Sequence, residues 1–257
     1  MPDTVVAGVA TARNSCCRAG FIWPTPDNRK GRAMTADVLL FDVNETLLDV
    51  RALGSAFDAT FGDRALLPEW FGLHLRYSLE VSVTGDYSSF DALAVSALMT
   101  SSTRAGKSLS TEEAAGLVDA MSQLPAHPDV ADGLAALKDY GFRLATLTNS
   151  RLDVAHAQLS SAGLDSYFDT VMSVETVQRF KPHPATYQYA AEQLDVPIGA
   201  ITMVAAHDWD VNGAMLAGAN AAFIERPGAA KASHDRIPEL VAPDIVGLAA
   251  LLTHGTE

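Results

Sequence analysis

Four short polar clusters of this sequence contain side chains that could act together on a small molecule. Asp42 follows the apolar run 38–41, and a carboxylate at the end of a buried strand can act as a nucleophile if a cation keeps it ionised. Lys181 could supply that cation, while Thr148 and Asp210 belong to the other two clusters. Taken alone, Asp42 could merely cap a loop and Lys181 could be a solvated surface amine. The chemical interpretation therefore depends on whether the fold brings these residues together.

The elements that must position these clusters alternate between apolar strands and amphipathic helices. Apolar runs typical of buried strands occupy residues 38–41, 142–148, 170–174, 200–205 and 221–224. Helical periodicity fills the intervals at residues 128–139, 151–162 and 184–194. This alternation predicts an α/β fold with a parallel sheet, in which ligands bind at the carboxyl ends of the strands. That edge would gather Asp42, Thr148, Lys181 and Asp210.

The alternation is interrupted after the first strand. No convincing buried strand occurs over residues 51–125, where helical stretches lie at 52–61, 68–82, 88–103 and 111–122. We therefore expect a helical cap inserted after the first strand, and a Rossmann-like α/β core formed by residues 35–50 and 126–250. Residues 1–34 lack apolar periodicity and are expected to be a disordered leader, or a stretch upstream of a native start at Met34.

Charge and composition exclude several classes of partner. The 257 residues carry 18 basic and 31 acidic side chains, for a formal charge of −13. Such an acidic chain is not expected to bind nucleic acid or anionic membranes, and no apolar run is long enough to span a bilayer. The cysteines are the adjacent Cys16 and Cys17, which form neither a disulfide framework nor a zinc site, and this usage suits a cytoplasmic location.

The order of the polar clusters resembles that of the haloacid dehalogenase superfamily over about residues 36–247. Four motifs follow in the family's order, namely Asp42-x-x-x-Thr46, Thr148-Asn149, Lys181-Pro182-x-Pro184 and a terminal Asp210. Within the superfamily, the sequence is similar to the type II branch, the (S)-2-haloacid dehalogenases. Three features carry that similarity, namely Asp49-Val50, Tyr187 after the third motif, and Trp209-Asp210-x-x-Gly213-Ala214.

The resemblance implies hydrolysis of a small (S)-2-haloacid to the (R)-2-hydroxy acid, without a cofactor. Asp42 would displace the halide and form an aspartyl ester, which water would then open. Lys181 would keep Asp42 ionised, and Asp210 would orient Lys181 and help to activate the water. The implied substrate-binding residues are Thr46, Thr148, Asn149, Tyr187, His207, Phe71 and Trp70. Because similar proteins are often dimers, a homodimer is also implied as an option.

Several positions depart from the patterns of related enzymes. Asn44 stands where phosphatases of the superfamily carry a second aspartate as general acid, and Ala206 stands where they carry a Mg²⁺ ligand, so we expect no metal. The dehalogenases commonly have an arginine in the cap where this chain has Phe71, and an asparagine where it has His207. Trp70 and Phe71 could form an apolar wall over the substrate, or could equally pack the cap helix.

Two other functions remain compatible with the sequence. A phosphatase with a rearranged Mg²⁺ site could use Glu45 or Asp208, and magnesium dependence of turnover would distinguish it from a dehalogenase. A non-catalytic binding protein could retain the same fold, because fold alone does not determine function. The set formed by Asp42, Lys181 and Asp210 argues against this reading, since a scaffold does not require a carboxylate apposed to an amine.

Overall fold

A single sheet of parallel strands organises the computed structural model, which describes residues 38–233 and 236–254. The sheet has six strands in the order β3-β2-β1-β4-β5-β6. The strands are β1 (Val38–Phe41), β2 (Arg143–Thr148), β3 (Thr170–Ser173), β4 (Ile201–Ala205), β5 (Asn220–Ile224) and β6 (Leu240–Ala242). The predicted α/β class with a parallel, Rossmann-like sheet is therefore confirmed. The expectation for residues 1–34 lies outside the described residues.

The central position of β1 determines where the chemistry can occur. In the register, Phe41 lies opposite Thr146 of β2 on one side and Val204 of β4 on the other. Every residue of β1 is buried, as expected for a strand covered by helices on both faces of the sheet. Asp42 follows directly, so the first polar residue after β1 lies at the middle of the carboxyl edge.

Helices cover the two faces of the sheet and form the insertion after β1. The core helices are α5 (Val130–Asp139), α6 (Leu152–Ser161), α7 (Pro184–Leu194), α8 (Asp208–Ala217) and α9 (Ile245–His254). The inserted helices are α1 (Gly54–Phe61), α2 (Leu66–Thr84), α3 (Phe90–Arg104) and α4 (Thr111–Asp119). Within the described part of the chain, no helix combines the length and the apolar character needed to cross a bilayer.

The chain leaves the core and returns to it at adjacent points. The backbone N–H of Asp49 donates to Pro125 O at 2.8 Å, and the N–H of His127 donates to Leu47 O at 2.9 Å. These two bonds hold the segments that enter and leave the inserted helices next to each other. The sequence did not indicate β6, which has only three residues between Glu239 and Pro243 and is too short to show a strand pattern.

Candidate active site

Asp42 is fixed at the end of β1 by bonds to its backbone and to its carboxylate. Its N–H donates to Val204 O at 3.0 Å, which extends the pairing of β1 with β4 by one residue. The hydroxyl of Thr46 donates to Asp42 Oδ2 at 2.7 Å and accepts a hydrogen bond from the N–H of Ala206 at 2.9 Å. Thr46 is fully buried and its hydroxyl orients Asp42 in this structure, while substrate binding by Thr46 stays a prediction.

Lys181 connects Asp42 to a second carboxylate. Its Nζ lies 2.8 Å from Asp42 Oδ1, 2.7 Å from Asp210 Oδ2 and 2.8 Å from Leu147 O. An ammonium has three N–H donors, and these three acceptors use all of them. The amine is fully buried, and it fixes the carboxylate after β1 against the one at the start of α8.

Asp210 is held on both sides. Lys181 bonds to Oδ2, while the Tyr187 hydroxyl donates to Oδ1 at 2.6 Å. Neither the Asp210 carboxylate nor the Tyr187 side chain has appreciable contact with solvent. The Tyr187 hydroxyl thus orients Asp210, and substrate binding by Tyr187 stays a prediction. Activation of water by Asp210 likewise stays a prediction, since its carboxylate is fully buried in this structure.

His207 is the second cation beside Asp42. Its Nδ1 lies 3.1 Å from Asp42 Oδ2, and its Nε2 lies 2.7 Å from Glu45 Oε2. The imidazole ring stacks between Phe71 and Trp209, with centroid separations of 6.5 Å and 4.8 Å. A histidine bonded to a carboxylate at each nitrogen has a fixed ring orientation, so His207 belongs to the site, as the sequence allowed.

Neighbouring charges set the protonation states of Asp42 and His207. Burial alone would raise the pKa of the Asp42 carboxyl, but Lys181 and His207 outweigh burial and hold that pKa well below its ordinary value. Burial would likewise lower the pKa of His207, yet its bonds to Asp42 and Glu45 raise it to about 10. In the free enzyme at neutral pH, an ionised Asp42 therefore lies between an ammonium and an imidazolium.

The loop after β2 supplies the remaining polar groups. Asn149 Oδ1 accepts a hydrogen bond from the backbone N–H of Lys181 at 3.0 Å, which leaves the Nδ2 amide as a donor. The hydroxyl oxygen of Thr148 accepts from the N–H of Ser150 at 3.1 Å. Asn149 thereby links the loop after β2 to the segment that carries Lys181. A carboxylate or carbonyl ligand could bind at this loop.

The structure places the neighbouring cap residues Trp70 and Phe71 in different surroundings. Trp70 is fully buried inside the cap, where its Nε1–H donates to Ala94 O at 2.9 Å and so joins α2 to α3. Trp70 therefore packs the cap in this structure, and its placement among the substrate-binding residues stays a prediction. Phe71, the next residue on α2, lies instead against His207 and lines a cleft between the cap and the core.

Two residues of the site were not predicted from the sequence in their observed roles. Glu45 bonds to His207, and Arg226 supports the loop after β1. Glu45 has a positive φ of 62°, which turns the loop so that its carboxylate meets His207. Arg226 donates twice to Thr46 O, at 3.0 and 2.9 Å, and pairs with Asp129 at 2.6 Å. Arg226 belongs to none of the motifs found in the sequence, so its support of the loop after β1 could not have been predicted.

Asn44 lies two residues after the nucleophile and is directed away from it. Its Nδ2 donates to Ser150 Oγ at 3.2 Å, and its Oδ1 accepts from Gln158 Nε2 at 2.9 Å. The same Gln158 nitrogen donates to Met121 O at 2.9 Å. Asn44 therefore ties the nucleophile loop to α6 and to the end of the inserted helices. Over residues 38–233 and 236–254, no three His, Cys, Asp or Glu side chains are grouped so as to hold a metal ion.

Comparisons with known proteins agree with this arrangement. A family model described as haloacid dehalogenase-like hydrolase matches residues 36–218. The (S)-2-haloacid dehalogenase 1 of Pseudomonas sp. (strain CBS-3) is 32% identical over 73% of this chain and 83% of its own length. The haloacetate dehalogenase H-2 of Moraxella sp. (strain B) is 26% identical over 80% of this chain and 93% of its own length.

A solved structure shows the same architecture. The L-2-haloacid dehalogenase from Xanthobacter autotrophicus, determined with chloropropionic acid covalently bound, aligns with a TM-score of 0.81 and 26% identity. The alignment covers 86% of this chain and 100% of that one. The family model, the sequence relatives and the shared fold all lead to one assignment. The chain belongs to the haloacid dehalogenase-like hydrolase family, on its (S)-2-haloacid dehalogenase branch.

Proposed function

We propose that this protein hydrolyses the carbon–halogen bond of (S)-2-haloacids, with Asp42 as the nucleophile and an aspartyl ester as the intermediate. The observation that carries the proposal is the Asp42 carboxylate itself, which is buried, ionised and held at both oxygens by Lys181, Thr46 and His207. The covalently bound chloropropionic acid in the structure of the Xanthobacter relative supports an intermediate of this kind.

In the first step, a carboxylate oxygen of Asp42 attacks C2 of the substrate from the side opposite the halogen. A bond forms between oxygen and C2 as the carbon–halogen bond breaks, so the halide leaves with the bonding electrons and C2 is inverted. Lys181 and His207 keep Asp42 ionised for this attack, and Thr46 fixes its orientation. Asn149 Nδ2 and the Thr148 hydroxyl are suited to hold the substrate carboxylate.

In the second step, water attacks the Asp42 carbonyl carbon, and His207 accepts its proton. Esterification removes the negative charge of Asp42, which is one of the influences that raise the pKa of His207. The imidazolium then releases its Nδ1 proton to solvent, while Nε2–H remains bonded to Glu45. Neutral His207 takes a proton from the attacking water, and the bond between the Asp42 carbonyl carbon and the ester oxygen breaks. The leaving alkoxide accepts that proton from His207 and departs as the hydroxy acid, while the new Asp42 carboxyl returns a proton to the imidazole. We assign this role to His207 because its Nδ1 lies 3.1 Å from Asp42 Oδ2 and its side chain reaches the cleft, whereas the Asp210 carboxylate is fully buried.

A halide-release assay tests the proposed function. We expect (S)-2-chloropropionate to release chloride and form (R)-lactate, the (R)-substrate to be inert, and EDTA to leave the rate unchanged. We expect p-nitrophenyl phosphate to be a poor substrate, because Asn44 is bonded to Ser150 and Gln158 and offers no general acid. Strong Mg²⁺-dependent phosphatase activity without halide release would instead favour the phosphatase.

A further inference from the structure

A cleft of about 600 Å³ opens between the cap and the core beside the nucleophile. Its lining includes Glu45, Ala206 and His207, each of which touches Asp42 or a direct partner of Asp42. His207 Nδ1 lies 3.1 Å from Asp42 Oδ2, so the imidazole ring alone separates this part of the cleft from the nucleophile. This part of the cleft therefore lies next to the site at which C2 of a haloacid would react, on the far side of the His207 ring.

Apolar side chains dominate the walls of the cleft. Leu67 and Phe71 contribute from the cap, Val50 from the segment that leads into it, and Ala229 from the loop after β5. Phe71 faces the His207 ring at a centroid separation of 6.5 Å, so the wall next to the nucleophile is apolar. Walls of this composition favour contact with an alkyl or aryl group over contact with water.

The cations along the cleft are already paired. Arg51 Nε lies 2.8 Å from Asp49 Oδ1, and a second bond of 2.8 Å joins Arg51 Nη2 to Asp49 Oδ2. Arg226 pairs with Asp129 and donates to Thr46 O. Neither guanidinium is therefore free to attract a second anionic group. A ligand that extends into the cleft is expected to be uncharged there.

We propose that this cleft binds the alkyl chain attached to C2, so that medium-chain 2-haloacids of about six to eight carbons are better substrates than two- or three-carbon acids. The inference rests on the proposed function, because it assumes that C2 reacts at Asp42 while the carboxylate binds near Asn149. Sites of about 300 to 1,000 Å³ enclose ligands far larger than chloropropionate, which would leave most of this cleft filled with water. Each methylene buried against the apolar walls is expected to favour binding about three- to fourfold.

The comparison of two substrates with the same leaving group tests the inference. We expect kcat/KM for (S)-2-bromooctanoate to exceed that for (S)-2-bromopropionate by at least about tenfold. Gly72 lines the cleft on α2, and a Cβ at this position would meet nothing within 4 Å, so Gly72→Phe should fold and fill part of the cleft. This variant should reduce the octanoate-to-propionate ratio of kcat/KM at least about tenfold.

Gly116→Phe provides the matched control. Gly116 also lies on a cap helix with nothing within 4 Å of an added Cβ, but it does not line the cleft. This variant should leave the substrate ratio unchanged. A wild-type preference for bromopropionate, or an equal loss of the ratio in both variants, would overturn the inference while leaving the proposed function intact. Absence of bromide release from both substrates would instead refute the proposed function on which the inference rests.

Discussion

Replacing Asp42 with asparagine should abolish turnover while preserving the fold. Asparagine has nearly the same size, so it can retain the bond from Thr46, but its neutral amide cannot displace a halide. We expect kcat to fall by about five to six orders of magnitude, the scale seen when a catalytic nucleophile is removed. Halide release under saturating substrate measures the loss, and circular dichroism with thermal unfolding checks the fold.

Asp58→Asn is the matched control for this variant. Asp58 is exposed on α1 of the cap, so the same change of an acid to an amide should leave turnover within about twofold. Turnover of Asp42→Asn within tenfold of the wild type would show that another group attacks the substrate. The Asp42→Asn variant should fold, because the buried ammonium of Lys181 keeps the Asp210 carboxylate as an anionic partner.

Replacing His207 with glutamine should slow ester hydrolysis more than ester formation. Glutamine keeps a polar side chain beside Asp42 but cannot accept a proton from water, and loss of a general base reduces a step by about 10² to 10⁴-fold. The aspartyl ester should therefore accumulate. With (S)-2-chloropropionate as the substrate, mass spectrometry of the quenched protein should detect one carboxyethyl group on the peptide containing Asp42. Absence of this adduct, together with steady-state halide release at the wild-type rate, would show that His207 is not the base.

The pH dependence of ester hydrolysis gives a second readout of the same role. In the free enzyme the pKa of His207 is raised to about 10, in part by the charge of Asp42, and the ester lacks that charge. The pKa in the ester is therefore lower, and hydrolysis should become faster as the pH rises through it, because only neutral His207 accepts a proton. His207→Gln should lose this rise. A residue that only packed the site would not move the profile.

The sequence could predict the parts of the site that follow directly from strand ends. Asp42 and Thr148 each follow or end a buried apolar run, and parallel pairing brings such positions to one edge. Lys181 and Asp210 come from the segments after β3 and β4, so the same rule brings them into range. The approach of Lys181 to Asp42 could therefore be inferred from the strand ends, whereas the contact between Asp210 and Lys181 was implied by the resemblance.

Side-chain directions on the cap could not be predicted in the same way. Trp70 and Phe71 are neighbours on α2, and consecutive helical residues point in directions about 100° apart, so one packs the cap and the other meets His207. No motif indicated which residue does which. Glu45 reaches His207 because of a left-handed backbone conformation, which a non-glycine residue adopts only when its surroundings require it.

Tracing oxygen in a single turnover tests the covalent role of Asp42 most directly. Enzyme in excess over (S)-2-chloropropionate should be allowed one turnover in ¹⁸O-water, and both lactate and the peptide containing Asp42 should be analysed by mass spectrometry. Water attacks the carbonyl carbon of the Asp42 ester in the proposed mechanism, so the ¹⁸O should enter Asp42 and the first lactate should contain an oxygen that was already in the protein. Appearance of ¹⁸O in lactate on the first turnover, with unlabelled Asp42, would contradict the account, because water would then have attacked C2 itself.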